Sequence, residues 1–310
     1  HAEGDVTEAS GQTKNDVGGL IGVIHSAGDI TDVSATGAVR ANGSEVGGLI
    51  GQLQHERAGF QDRRHPYSLE NASATGLVGH HRFAKAVTNV SATGNVTTDG
   101  QEVGGLIGKL QGGTVTDSFA TGDVESSSNY VGGLIGDYRH KNSRGDSLFR
   151  NVSAAGEVTG SGDYVGGLIG RSRTDDNDGT TITDAHATGN VTMAISSREY
   201  YAGGLIGIIQ SAGDITDVSA TGAVNVTDDG RQVGGLIGRL DHERAGYRNR
   251  RHPYSLENAS ATGDVTTDGR YVGGLVGRHR FAKAVTNVSA TGDVTADGDR
   301  VGGLIGELRG

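Results

Sequence analysis

"GGLIGKLQGGTVTDSFATGDVESSSNYV", residues 104–131, is a unit of 28 residues that most of the chain rewrites. It contains two phrases. The first reads V-G-G-L-I-G with at most two letters changed, and starts at Val17, Val46, Val103, Val131, Val165, Ala202, Val233, Val272 and Val301. The second falls between successive copies, as in "ITDVSATGAV" (30–39), "VTNVSATGNV" (87–96) and "ITDAHATGNV" (182–191). In residues 32–39, Val33, Ala35, Gly37 and Val39 share one parity, while Asp32, Ser34 and Thr36 share the other. That alternation marks a half-buried strand. Helix is disfavoured, because glycine costs about 1 kcal/mol at each interior helical position and every first phrase holds three.

One such unit cannot bury its own apolar side, but identical units stacked in register can. Each coil then hydrogen-bonds the coils above and below, and like side chains line up in columns. The expected fold is all-β: a single β-solenoid over 1–310, with about ten stacked coils of ~28 residues, hence a rod of roughly 50 Å at ~4.8 Å per coil.

Composition agrees. The 310 residues include 55 glycines, 2 prolines, no cysteine, no tryptophan and 5% aromatics. Glycine without proline excludes collagen, and regularly placed Val, Leu and Ile argue against disorder. A net charge of −10 would repel nucleic-acid phosphates. No apolar run reaches the ~18 residues of a membrane span.

A longer duplication overlies the short one, with halves at about 18–110 and 203–308. "HERAGFQDRRHPYSLENASATG" from His55 returns nearly intact from His242. The first half lacks the equivalent of "DVTTDGRYVGG", residues 264–274. The insert before the gap could stand in for that loss or be independent of it. Departures from the plain unit are expected as surface loops at 55–70, 138–150, 171–180 and 242–257.

"VGGLIG" together with "VTDSFATGDV" resembles the GLUG-motif repeat of bacterial and archaeal filamentous surface adhesins and of the repeat regions of IgA-specific peptidases. The likeness extends over nearly the whole chain outside the inserts. It implies a β-solenoid repeat domain on an exported, extracellular or cell-surface protein, and it assigns no catalytic residue. A peptidase zinc site of the H-E-x-x-H kind is not carried over, since "HERAG" has Gly59 and Gly246 where the second histidine would stand.

Several residues are candidates for recognition. In the paired inserts, Arg63, Arg64 and Tyr67, with Arg250, Arg251 and Tyr254, could grip sugars, carboxylates or a neighbouring protomer; the plain alternative is a copied surface loop. "SRGDS" holds Arg144-Gly145-Asp146, an integrin-recognition tripeptide that also recurs by chance. Asp175, Asp176 and Asp178 are weak calcium candidates, because the distant bidentate glutamate of an EF-hand is missing. Nine asparagines lie in N-x-S/T: Asn42, Asn71, Asn89, Asn95, Asn151, Asn190, Asn225, Asn258 and Asn287. They are glycosylation candidates on an exported chain. Asn89 and Asn287 also share a column with Asp32 and Asp217, where stacked amides can bond along the rod.

No nucleophile–base–orienter set stands out, and no cofactor is expected. "HAEGDV" at the start aligns with "HATGNV" from His186, so first and last coils are in matching phase. The expectation is a non-enzymatic extracellular structural protein, a filament subunit stacking head to tail on copies of itself, with surface polysaccharide or a neighbouring cell as a further partner. The alternatives are the shaft of a longer adhesin, or a carbohydrate-binding or carbohydrate-cleaving β-helix with its site in the inserts.

Overall fold

The structure, a computed structural model, describes residues 1–7, 17–25, 29–36, 39–40, 46–47, 49–54, 68–74, 78–82, 86–127, 129–140, 147–174, 179–194, 200–227, 231–242, 255–280 and 284–309. These residues form an all-parallel β-solenoid. One rung runs through four strand segments. Val103–Gly104 leads into Ile107–Gln111, then Thr114–Ala120, then Val124–Ser126, and the chain re-enters at Val131–Gly132 one rung further along.

First-phrase strands stack from Ile21–His25 to Ile305–Arg309, and second-phrase strands from Ala2–Glu3 to Ala284–Ala290. Each of these two ladders has ten members, which bears out the expected number of coils. The register places like on like. Val96, Val124, Val158, Val191, Val224, Val265 and Val294 form one uninterrupted column. Parallel strands with covered inner faces favour such β-branched side chains, so the core fills with few aromatics, Tyr138 and Phe149 among them.

In cross-section the rung is two arches joined at a waist. Leu106, Ile107 and Leu110 of the first-phrase strand face Val115 and Ala120 of the second across one core. Val103 and Val124 belong to a second, separate core. Glycine makes the waist. A Cβ on Gly105 would stand 3.2 Å from Ala120 Cβ, and one on Gly133 would stand 2.9 Å from Ala154 Cβ and collide with the carbonyl of Gly167 in the next rung. The glycines of the phrase are therefore required by backbone-on-backbone contact.

The paired column Asp32, Asn71, Asn89, Asp117, Asn151, Asp184, Asp217, Asn258 and Asn287 turns the second-phrase strand outward at φ of 50 to 55°. Asp and Asn tolerate this left-handed region better than other side-chain-bearing residues, which explains why the repeat writes T-[D/N] there. Two outward residues then occur in succession, as at Arg150 and Asn151 before inward Val152, without upsetting the alternation that follows.

The deleted stretch leaves a clear mark. Ser68–Glu70 and Ser73–Ala74 pair normally with rungs on both sides, and so does Val78–Arg82. The first arch thus passes through this third rung intact. The second arch does not. Its ladders divide into two-stranded pieces (Val6–Thr7 with Val39–Arg40, Val17–Gly18 with Val46–Gly47) and seven-stranded ones beginning at Val96 and Val103. The insert after Gln54 lies outside the described residues, and the chain is next described at Ser68, in the other arm of the first arch. Its copy lies in a rung that keeps both strands, Val265–Thr267 and Val272–Gly273.

The insert bounds narrow accordingly. Ser68–Glu70, Tyr138–His140, Leu148–Arg150, Arg171–Thr174, Thr180 and Ser255–Glu257 are strand residues in ladder register, although the sequence places them in loops.

Candidate functional site

The arch geometry gives the rod two broad sides, and each carries a ladder of polar side chains. On the second-phrase side the asparagine column bonds along the axis. Asn89 donates from Nδ2 to Asn71 Oδ1 (2.7 Å), Asn151 to Asp117 (2.8 Å), Asn258 to Asp217 (2.9 Å) and Asn287 to Asn258 (2.7 Å). Asparagine between aspartates supplies a donor where two carboxylates would repel, as the column alignment predicts. Where Asp184 follows, His186 takes that part: Nε2 is 2.9 Å from Asp184 Oδ1 and Nδ1 is 2.8 Å from Ser219 Oγ. His1 repeats the geometry against Ser34 at 2.7 Å, in agreement with the alignment of "HAEGDV" on "HATGNV".

Asn71, Asn89, Asn95, Asn151, Asn190, Asn225, Asn258 and Asn287 are all exposed. They are not equivalent. Asn95 and Asn190 use Oδ1 to accept the backbone N–H of Asp123 (3.0 Å) and Ala223 (2.9 Å) in the next rung, whereas Asn89, Asn151, Asn258 and Asn287 donate from Nδ2 to a column neighbour. Asn42 lies outside the described residues, as do Arg63, Arg64, Tyr67, Arg250, Arg251, Tyr254, Asp175, Asp176, Asp178 and the Arg144-Gly145-Asp146 tripeptide.

The first-phrase side carries a ladder that the sequence reading missed. Its residues stand immediately before and after each phrase. Tyr130, Tyr164 and Tyr201 precede three successive copies and stack face to face, with centroids 4.9 and 5.3 Å apart and planes within 9°. Arg171, directly after a phrase, lies over the Tyr130 ring at 3.8 Å and donates to its hydroxyl at 2.9 Å. The same guanidinium grips Asp137 through both carboxylate oxygens, at 2.7 and 3.0 Å, while Arg139 approaches Asp137 at 2.6 Å. Asp137 is fully buried. Removing one partner of such a pair costs about 3–5 kcal/mol.

The pattern recurs further along. Arg239 donates to Asp241 at 2.6 Å and lies 5.7 Å from the Tyr201 ring centroid. Arg278 and Arg300 flank Tyr271 at 4.9 and 4.7 Å, and both approach Glu307. The electrostatics follow the geometry. Burial pushes the Tyr164 hydroxyl up to about 12, with help from the tyrosines on either side. Burial opposes the charged form of Glu307, but the Arg309 hydrogen bond and the Arg278 charge more than offset it and hold the carboxyl below its usual range. Arg280 is the reverse case: burial, then the charges of Arg239 and Arg278, lower its pKa.

These groups hold one another, and among the described residues no three His, Asp or Glu side chains gather closely enough to hold a metal ion. Cation, ring and carboxylate positions repeat with the rung, so none is singled out for chemistry. The arrangement can cement rungs and present charge.

Comparison with known proteins agrees with this repeat reading. The GLUG motif matches at residues 99–125, 161–192, 199–227 and 268–295. Halomucin of Haloquadratum walsbyi is 44% identical over 300 residues, covering 85% of this chain. The chain spans only 3% of the length of that relative. No solved structure matches. Four stretches of the chain thus match the GLUG motif, and the rungs that contain them fold as a β-solenoid.

Proposed function

We propose that this chain is a non-enzymatic structural segment of an extracellular, cell-surface protein, a rod whose end rungs stack on further rungs of the same kind, in the same chain or in another copy. One observation carries the reading: the first-arch ladders run through ten rungs, with local register shifts at Thr180–Ile182 and Gln210–Ala212, and continue even where a rung has lost its second arch. Such a frame conserves length and stiffness, and its side chains are spent on neighbours in the stack. Resemblance to a halomucin and the run of exposed N-x-S/T asparagines support a place at the cell surface, and glycans would sit on those asparagines. Negative-stain electron microscopy with sedimentation at rising protein concentration tests this. Rods of roughly 50 Å that join end to end support it. A rod that stays single at every concentration and depolymerises polysaccharide overturns it in favour of a carbohydrate-cleaving β-helix.

A further inference from the structure

The two broad sides of the rod differ in charge, and they face opposite ways. Consider the seven consecutive rungs from Glu102 onward. On the first-phrase side, residues 102–111, 130–140, 164–174, 201–210, 232–242, 271–280 and 300–309 carry nine Lys or Arg and four Asp or Glu. On the second-phrase side, residues 86–98, 114–126, 148–160, 180–194, 215–227, 255–267 and 284–296 carry nine Asp or Glu and one Arg. The arch separates them: the waist contact between Gly105 and Ala120 folds one strand back over the other, so their outer faces look in opposite directions.

We propose that rods of this chain associate side by side, the arginine-bearing side of one copy against the carboxylate-bearing side of the next. Three features favour a second copy as the occupant. First, both sides repeat with the same rung spacing, so a parallel neighbour meets complementary charge over most of these seven rungs, the uncharged segments 86–98 and 201–210 excepted; a partner with any other period would match at only a few rungs. Second, the cationic side keeps an excess after its internal pairing: Glu102, Asp137, Asp241 and Glu307 each pair with neighbouring Lys or Arg side chains, yet four carboxylates face nine cations. Third, the opposite side offers exposed carboxylates at Glu125, Glu157 and Asp293. Each exposed pair contributes only about 0–1 kcal/mol, so pairing needs many rungs in line, which the rod provides. Because the contact uses different surfaces on the two partners, it does not close on itself and builds layers of rods. This pairing is lateral and does not depend on end-to-end stacking.

Charge exchange tests it on the full 310-residue chain. Arg173→Glu with Arg280→Glu reverses part of one side; Glu125→Lys with Glu157→Lys reverses part of the other. Sedimentation velocity and negative-stain images are compared at about 0.1 M and about 1 M salt, where the Debye length is about 10 and about 3 Å. The expected result is thickened, multi-rod particles of the unaltered chain at the lower salt and single rods at the higher. Each double variant alone weakens lateral pairing at least tenfold, and mixing the two variants restores it. Circular dichroism of each variant checks that the rods themselves are intact. Single-width rods of the unaltered chain at both salts overturn the proposal, as does pairing that neither variant alters. Retention of single rods on a sulfated-polysaccharide column, lost in the arginine variant, also overturns it and assigns the cationic side to an acidic glycan instead.

Discussion

Residues 68–82 and 255–280 are near-copies, and their difference is instructive. Both begin "SLENASATG" and both end in a strand with buried histidine, His81 in one and His279 in the other. Between them the second copy has eleven further residues, 264–274, which form a complete second arch; the first copy has none. The first arch is nevertheless the same in both places. Leu69 pairs with Ile30 and Val87, as Leu256 does with Ile215 and Val285, and both leucines are fully buried. The spine of the rod is therefore the first arch, and the second arch is an addition that propagates only where consecutive rungs supply it.

That comparison can be broken most severely by deleting 264–274. The expected outcome is that Val294–Ala296 and Val301–Gly302 lose their partners and their amide-exchange protection, while Ser255–Ala261 and Ala284–Ala290 keep theirs. Collapse of both ladders together would show that the arches are not separable. Next in size, Gly133→Ala puts a methyl against Ala154 and the Gly167 carbonyl at the waist. Overpacking backbone in this way should cost about 3 kcal/mol in urea unfolding. Leu69→Ala and Leu256→Ala sharpen the comparison: each should cost about 2–5 kcal/mol, and the two values should agree if the first arch is indifferent to its neighbour. Asn258→Ala should cost about 1–2 kcal/mol, from a lost ladder hydrogen bond and a side chain poorly suited to positive φ.

The smallest effect is in pH. The Tyr164 hydroxyl, ordinarily near 10.0, is held up at about 12. Between those values the unfolded chain loses a proton that the folded one keeps, so stability falls as pH rises through that window. Tyr164→Phe should remove that part of the slope in urea midpoints measured across it.

Much of the spine was legible in the sequence because register forces identity: Ile107, Ile135, Ile169 and Ile206 recur since each covers the last. The asparagine column was legible for the same reason. Two things were hidden. Inserts were read too wide because strands run on into polar stretches, where Tyr138 and Ser172 occupy fully buried positions that elsewhere hold Leu110 and Ile209. Charge segregation was hidden because the two sides alternate along the chain every dozen residues or so and separate only once the arch folds. The Tyr–Arg ladder had a signal, the fixed offset from each phrase, but its meaning depended on knowing that Tyr130 and Arg171 share one side.

Among the described residues, the backbone hydrogen bonds between rungs lie along the rod, as in Leu106 N–H to Leu134 O at 3.0 Å and Leu134 N–H to Leu168 O at 2.9 Å. A pull on the two ends therefore loads these bonds one rung at a time instead of shearing many at once. Each rung that yields lets out a strand of up to roughly 90 Å at ~3.3 Å per residue, then the next takes the strain. Opened from one end in this way, the rod would lengthen in rung-sized steps.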